Sequence, residues 1–169
     1  MTDRWRLTAP LFDKLVAGAL PQGLEGDYAA TRRFAVGDPD RFSERSLRET
    51  VRREIGWMLN TTQFGAAVDL DRAPQVASSV LNYGVPELAG KAISHRIVLA
   101  RARDIRGSLR AFEPRIDEHT LSVEPATDRE RENAITFVIH AEIRSAVQPV
   151  PLRLKTDVEA DGGTVEVRE

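Results

Sequence analysis

Phe112-Glu113-Pro114-Arg115 divides this chain into two folding regimes. Upstream of it, Val98, Ala102, Ile105, Leu109 and Phe112 recur at helical spacing. Downstream, apolar and polar residues alternate, the period of a half-buried strand. Pro114 lacks a backbone donor and disfavours helical geometry at Glu113, so the helix must end here. A proline alone would suffice for that stop. The flanking acid and base are additional. In an extended chain residues two apart project to one side, so Glu113 and Arg115 are expected side by side. Two readings follow: a helix terminator with an incidental surface ion pair, or a charged contact site.

Before the junction the pattern is helical but interrupted. Thr8-Ala9-Pro10 followed by Leu11, Phe12, Leu15 and Val16 predicts a short capped helix, ended by Gly18 and Pro21. Residues 21–45 are polar, carry Gly23, Gly26, Gly37 and Pro39, and read as a long loop or arm. Ser46-Leu47-Arg48-Glu49 has the spacing of a capping box. Leu47, Val51, Ile55 and Met58 or Leu59 then form an apolar stripe ending near Asn60. Glu49 is placed to pair with Arg53 at i, i+4, and Glu54 reads as part of a solvated face. Pro74 to Tyr83 predicts a short helical turn closed by Gly84, with Pro86 opening another. Val80, Leu81 and Leu88 are expected in the core, while Asn82 and Tyr83 are suited to bonding exposed backbone groups at the turn. The long helix is expected to start between Gly90 and Ser94 and to reach Ala111 or Phe112.

The last third reads as strands. Leu121 and Val123 alternate with polar neighbours up to Pro125. Ile135, Phe137, Ile139, Ala141 and Ile143 share one face, opposite Thr136, His140, Glu142 and Arg144. Val150, Leu152, Leu154, Thr156 and Val158 repeat the pattern, and Asp161-Gly162-Gly163 turns the chain into Val165 and Val167. The expected fold class is α+β: N-terminal helices packed on one face of a C-terminal antiparallel β-sheet, a meander ending in a hairpin. Residues 1–45 form the short helix and arm, and residues 46–169 a single α+β domain.

Composition narrows the chemistry. The net charge of −2 lacks the basic excess of a general nucleic-acid binder. Of 24 cationic side chains, three are lysine and 21 arginine, the better residue for bidentate pairing. There is no cysteine, so disulfides, thiolate zinc sites and cysteine nucleophiles are excluded. His95, His119 and His140 have no partner at metal-ligand spacing, and no phosphate-binding glycine loop or GxSxG elbow occurs. No cofactor or metal is expected. Glu113 is the natural candidate for a catalytic acid, but an arginine two residues away would favour its ionised form. The opening residues show no apolar signal core and no stretch approaches a membrane span, so a cytoplasmic protein is expected.

Four stretches in order resemble the TssE family of type VI secretion baseplate subunits, relatives of a small wedge protein of contractile-phage baseplates. They are residues 6–15 (Arg-Leu-Thr-Ala-Pro-Leu-Phe-Asp-Lys-Leu), residues 46–61 from Ser46 to Thr61, Ser79 to Leu88, and Phe112-Glu113-Pro114-Arg115-Ile116. The 21–45 arm matches poorly.

The resemblance implies a structural role, with Glu113, Pro114 and Arg115 corresponding to the family's Glu-Pro-Arg hallmark. The implied partners are wedge subunits of the TssF, TssG and TssK type, including their core helical bundle, and sheath subunits of the TssB and TssC type. The implied location is the cytoplasmic face of the inner membrane, without membrane insertion. Sheath subunits of such systems add arms to a neighbour's sheet, so Thr164, Val165, Glu166 and Val167 are the expected strand-accepting edge. A lysozyme-type peptidoglycan hydrolase is the alternative function.

Overall fold

The computed structural model describes residues 7, 9–17, 42–86, 94–126, 134–145, 148–159 and 163–169. Most of the 21–45 arm, Leu88, and Asp161 and Gly162 of the hairpin turn lie outside the described residues. The helices are α1 (Leu11–Ala17), α2 (Glu44–Leu59), α3 (Pro74–Ala77) and α4 (His95–Phe112), with 3-10 turns at Phe64–Ala66 and Val80–Asn82. The strands follow as β1 (Ser122–Pro125), β2 (Ala134–Ile143), β3 (Val150–Glu159) and β4 (Val165–Arg168). They form one antiparallel sheet in sequential order, so β1 and β4 are its edges.

The two periodicities meet in a common core. α2 contributes Leu47, Val51, Ile55, Met58 and Leu59, and α4 contributes Ala102, Ile105 and Leu109. Both stripes cover the sheet face formed by Phe137, Ile139, Ile143, Leu152, Leu154 and their neighbours. α2 packs against β3 and β4, and α4 against β1. The α+β expectation is met, with the helices first and the sheet last.

Local departures have physical causes. α2 starts at Glu44, because the Ser43 hydroxyl accepts from the Ser46 amide at 3.2 Å and serves as N-cap. Phe42 and Leu47, the positions of a hydrophobic staple, are both buried and favour this earlier start over the Ser46–Glu49 box. Glu49 pairs with Arg45 at 3.0 Å rather than with Arg53, whose side chain turns inward. Val80 and Leu81 are exposed rather than core residues. The turn buries Asn82 instead, whose Oδ1 accepts from Gly65 N at 2.8 Å while Nδ2 donates to Ala77 O at 2.9 Å. A loop without regular pairing needs that satisfaction more than it needs two further apolar contacts. Thr136, expected on the polar face, is buried there and donates to the buried Asp157 at 2.7 Å.

Gly84 closes this loop with φ of 116°. A side chain there would bring Cβ within 2.2 Å of Thr61 O. The close approach lets Val85 N donate to Thr61 O and Gln63 N to Val85 O, both at 2.9 Å. The loop carrying Tyr83 is thereby tied to the end of α2.

Candidate functional site

The junction motif folds as a turn rather than an extended segment. Ile116 N donates to Glu113 O at 3.1 Å, with Pro114 at the position a β-turn favours. The turn, not strand alternation, brings the acid and base together. Glu113 Oε1 accepts from the Arg115 amide at 3.2 Å and from Arg115 Nε at 2.6 Å. Its Oε2 accepts from Arg115 Nη2. Arg115 O then accepts from Arg144 N at 2.7 Å, and Asp117 N donates to Glu142 O at 2.8 Å, stitching the turn to the end of β2.

The pair is not an incidental surface contact. The Glu113 side chain is 6% exposed and that of Arg115 26%. Arg115 also donates to Glu54 on α2, so Glu54 is not a solvated-face residue. Glu54 Oε1 accepts from Arg53 Nη2 at 2.8 Å, and Arg53 makes two bonds to the fully buried Asp13 of α1, at 2.7 and 3.1 Å. The Arg53 guanidinium lies 4.9 Å from the Phe12 ring centroid and 5.0 Å from that of Trp57. Asp13, Arg53, Glu54, Arg115 and Glu113 thus form a chain of alternating charge linking α1, α2 and the junction. Burial opposes the Arg115 charge, but hydrogen bonds and attraction from Glu113 and Glu54 outweigh it and raise the pKa above the ordinary value. Arg53 is raised in the same way against its burial, by Asp13 and Glu54.

Beside this chain opens a pocket of about 390 Å³, lined by Trp57, Met58, Tyr83, Phe112 and Pro114 around Glu54 and Arg115. Tyr83 and Phe112 meet edge to face at 5.5 Å. The Tyr83 hydroxyl pKa is raised, first by burial and then by the charges of Glu54 and Glu113. The pocket thus combines aromatic walls and a proline with an arginine that is 26% exposed. Each carboxylate oxygen of Glu54 and Glu113 accepts from an arginine.

Thr164–Val167 lies about β4, away from this pocket. Glu159 N donates to Thr164 O at 3.1 Å, and strand alternation then points the backbone of Val165 and Val167 away from β3. Three of those outward groups are bonded to α2 and its cap. Asn60 Oδ1 accepts from Val165 N at 2.9 Å, Asn60 Nδ2 donates to Val165 O at 2.8 Å, and Arg52 Nη1 donates to Val167 O at 3.2 Å.

Sequence reasoning singled out Glu113, Pro114 and Arg115 but missed Asp13, Arg53, Glu54, Trp57 and Asn60 as their partners or counterparts. Pairing across tens of residues leaves no local spacing to detect. Among the described residues no helix is long and apolar enough to cross a membrane, and no group of three or more His, Asp and Glu could hold a metal ion.

A family model described as baseplate wedge protein gp25 matches residues 45–148. Comparison with curated proteins and with solved structures returns no match. The matched span includes α2 from its second residue, the pocket, the Glu-Pro-Arg turn, β1 and β2. Three of the four stretches, Ser46 to Thr61, Ser79 to Leu88 and Phe112 to Ile116, fall within the match, the stretch at residues 6–15 lies outside it, and the chain belongs to the baseplate wedge protein gp25 family, the family that includes TssE.

Proposed function

We propose that this chain is a non-enzymatic subunit of a type VI secretion baseplate that joins the wedge complex to the sheath and seeds sheath polymerisation. One surface is the pocket at Glu113-Pro114-Arg115, which takes a helical segment of a TssF-, TssG- or TssK-type wedge subunit. The other is the β4 edge, Thr164 to Val167, which takes a strand from a TssB- or TssC-type sheath subunit. The location is the cytoplasmic face of the inner membrane. The observation that carries the reading is the aromatic pocket built around an arginine already oriented by two carboxylates. Preorientation lowers the ordering cost of docking, and a fork-shaped guanidinium gives it direction.

The test is co-purification of wedge subunits with the wild type and with Arg115→Lys. Lysine keeps the charge for Glu54 and Glu113 but loses the fork. Capture should fall about ten-fold or more while the isolated protein stays folded. Undiminished capture by a folded Arg115→Lys protein would remove the pocket from the interface. Turnover of purified peptidoglycan that is lost in Glu113→Gln would instead establish the hydrolase alternative.

A further inference from the structure

The sheet has two edges, and they are protected differently. On β1, Ala126 N donates to Thr136 O at 2.8 Å, so alternation turns Val123 and Pro125 outward. Pro125 has no N–H, and that edge is permanently short of a donor. On β4 no residue is proline; Val165 N, Val165 O and Val167 O are bonded by side chains instead. Asn60 both accepts from Val165 N and donates to Val165 O. One residue exchanging both bonds with one partner is the pattern of a hydrogen-bonded antiparallel pair. The Asn60 carboxamide therefore stands in for the N–H and C=O of one residue in a strand lying antiparallel to β4.

Asn60 is exposed, so moving its side chain uncovers no core. Its side chain also donates to Gly56 O at 2.8 Å, but the backbone amide bonds the same oxygen at 3.1 Å, so Gly56 O keeps a partner when the side chain moves. We infer that Asn60 is a displaceable guard of the β4 edge: it holds the place of an antiparallel strand in the free protein and yields it when that strand arrives. Arg52 supports it at Val167. The occupant is an extended segment of the sheath subunit, and here the inference rests on the docking role proposed above. The guard explains how an edge can accept a strand without also pairing with a second copy of this chain.

The position of the guard also identifies the residues that matter at this edge. The outward amides are those of Val165 and Val167, whereas the amide of Glu166 faces β3. A proline at Glu166 would therefore detach β4 from its own sheet before it reported on docking.

The experiment compares wild type with Asn60→Ala in amide exchange and in binding to purified sheath heterodimer. In the free variant Val165 should exchange about ten-fold faster, with Glu166 and Arg168 unchanged, since their amides face β3 and keep their partners. Affinity for the heterodimer should rise about ten-fold, because the incoming strand no longer competes with the side chain. A folded Asn60→Ala protein that binds equally or more weakly overturns the guard alone. If neither protein binds the heterodimer, the docking role fails and the guard with it. Should Asn60→Ala not fold, Arg52→Ala decides: it frees only Val167 O, leaves the helix cap whole, and should tighten binding about three-fold. Unchanged or weaker binding by that variant overturns the guard.

Discussion

Arg115 donates to Glu54, a residue 61 positions earlier in the chain, while closing on Glu113 two positions earlier. One guanidinium thus fixes the local turn and ties it to α2. Glu113 is the buried member of the pair, and all three motif residues line the adjoining pocket with Glu54. Three carboxylates share two arginines in the extended chain, leaving it negative overall.

Removing Arg115 should therefore cost stability as well as docking. Arg115→Ala strands a carboxylate that is 6% exposed, and we expect a loss of about 2–3 kcal/mol after allowing for the solvent that reaches the guanidinium. Glu113→Ala leaves Arg115 with Glu54 and water, and should cost less, about 1–2 kcal/mol. Urea unfolding of the two variants measures the order, and the reverse order would mean that Glu113 is not the buried half of the pair.

Asp13→Asn tests the far end of the chain. It removes the carboxylate charge facing a guanidinium that is 8% exposed, at a cost of about 3 kcal/mol. The readable consequence is release of α1, seen as faster amide exchange over Leu11–Ala17 with α4 unaffected. Uniform exchange across both helices would show that Asp13 serves global stability rather than the placement of α1.

Tyr83 reports the negative field of the pocket. Burial and then the charges of Glu54 and Glu113 raise its pKa, so the folded state keeps the phenol proton to higher pH. The associated stability is present below the ordinary tyrosine value of about 10 and is lost as pH rises through the raised value. In a Tyr28→Phe background only Tyr83 is seen by ultraviolet titration. Glu54→Gln should move its midpoint down, and an unmoved midpoint would separate Tyr83 from the charge chain.

Gly84→Ala and Asn82→Ala should differ in kind. At Gly84 a Cβ meets Thr61 O at 2.2 Å with φ already positive, so the loop must open and we expect a loss of about 2–4 kcal/mol. Asn82→Ala removes two bonds without a clash and should cost about 1–2 kcal/mol. Thermal unfolding distinguishes them, and equal losses would mean that the backbone approach at Gly84 is not limiting.

What the sequence determined is what depends on neighbours along the chain. Apolar spacing placed α2, α4 and the strands, and Pro114 set the end of α4, because periodicity and a missing donor act locally. The motif's acid and base were legible for the same reason. Tertiary structure alone decided that Glu113 is buried, that Glu54 and Arg53 carry its charge chain on to Asp13, and that Asn60 closes the β4 edge. Val80 and Leu81 are exposed although apolar, because the loop's backbone required Asn82 inside. These outcomes turn on which polar group finds a partner once water is excluded. That partner is chosen by the fold, across distances at which spacing carries no signal.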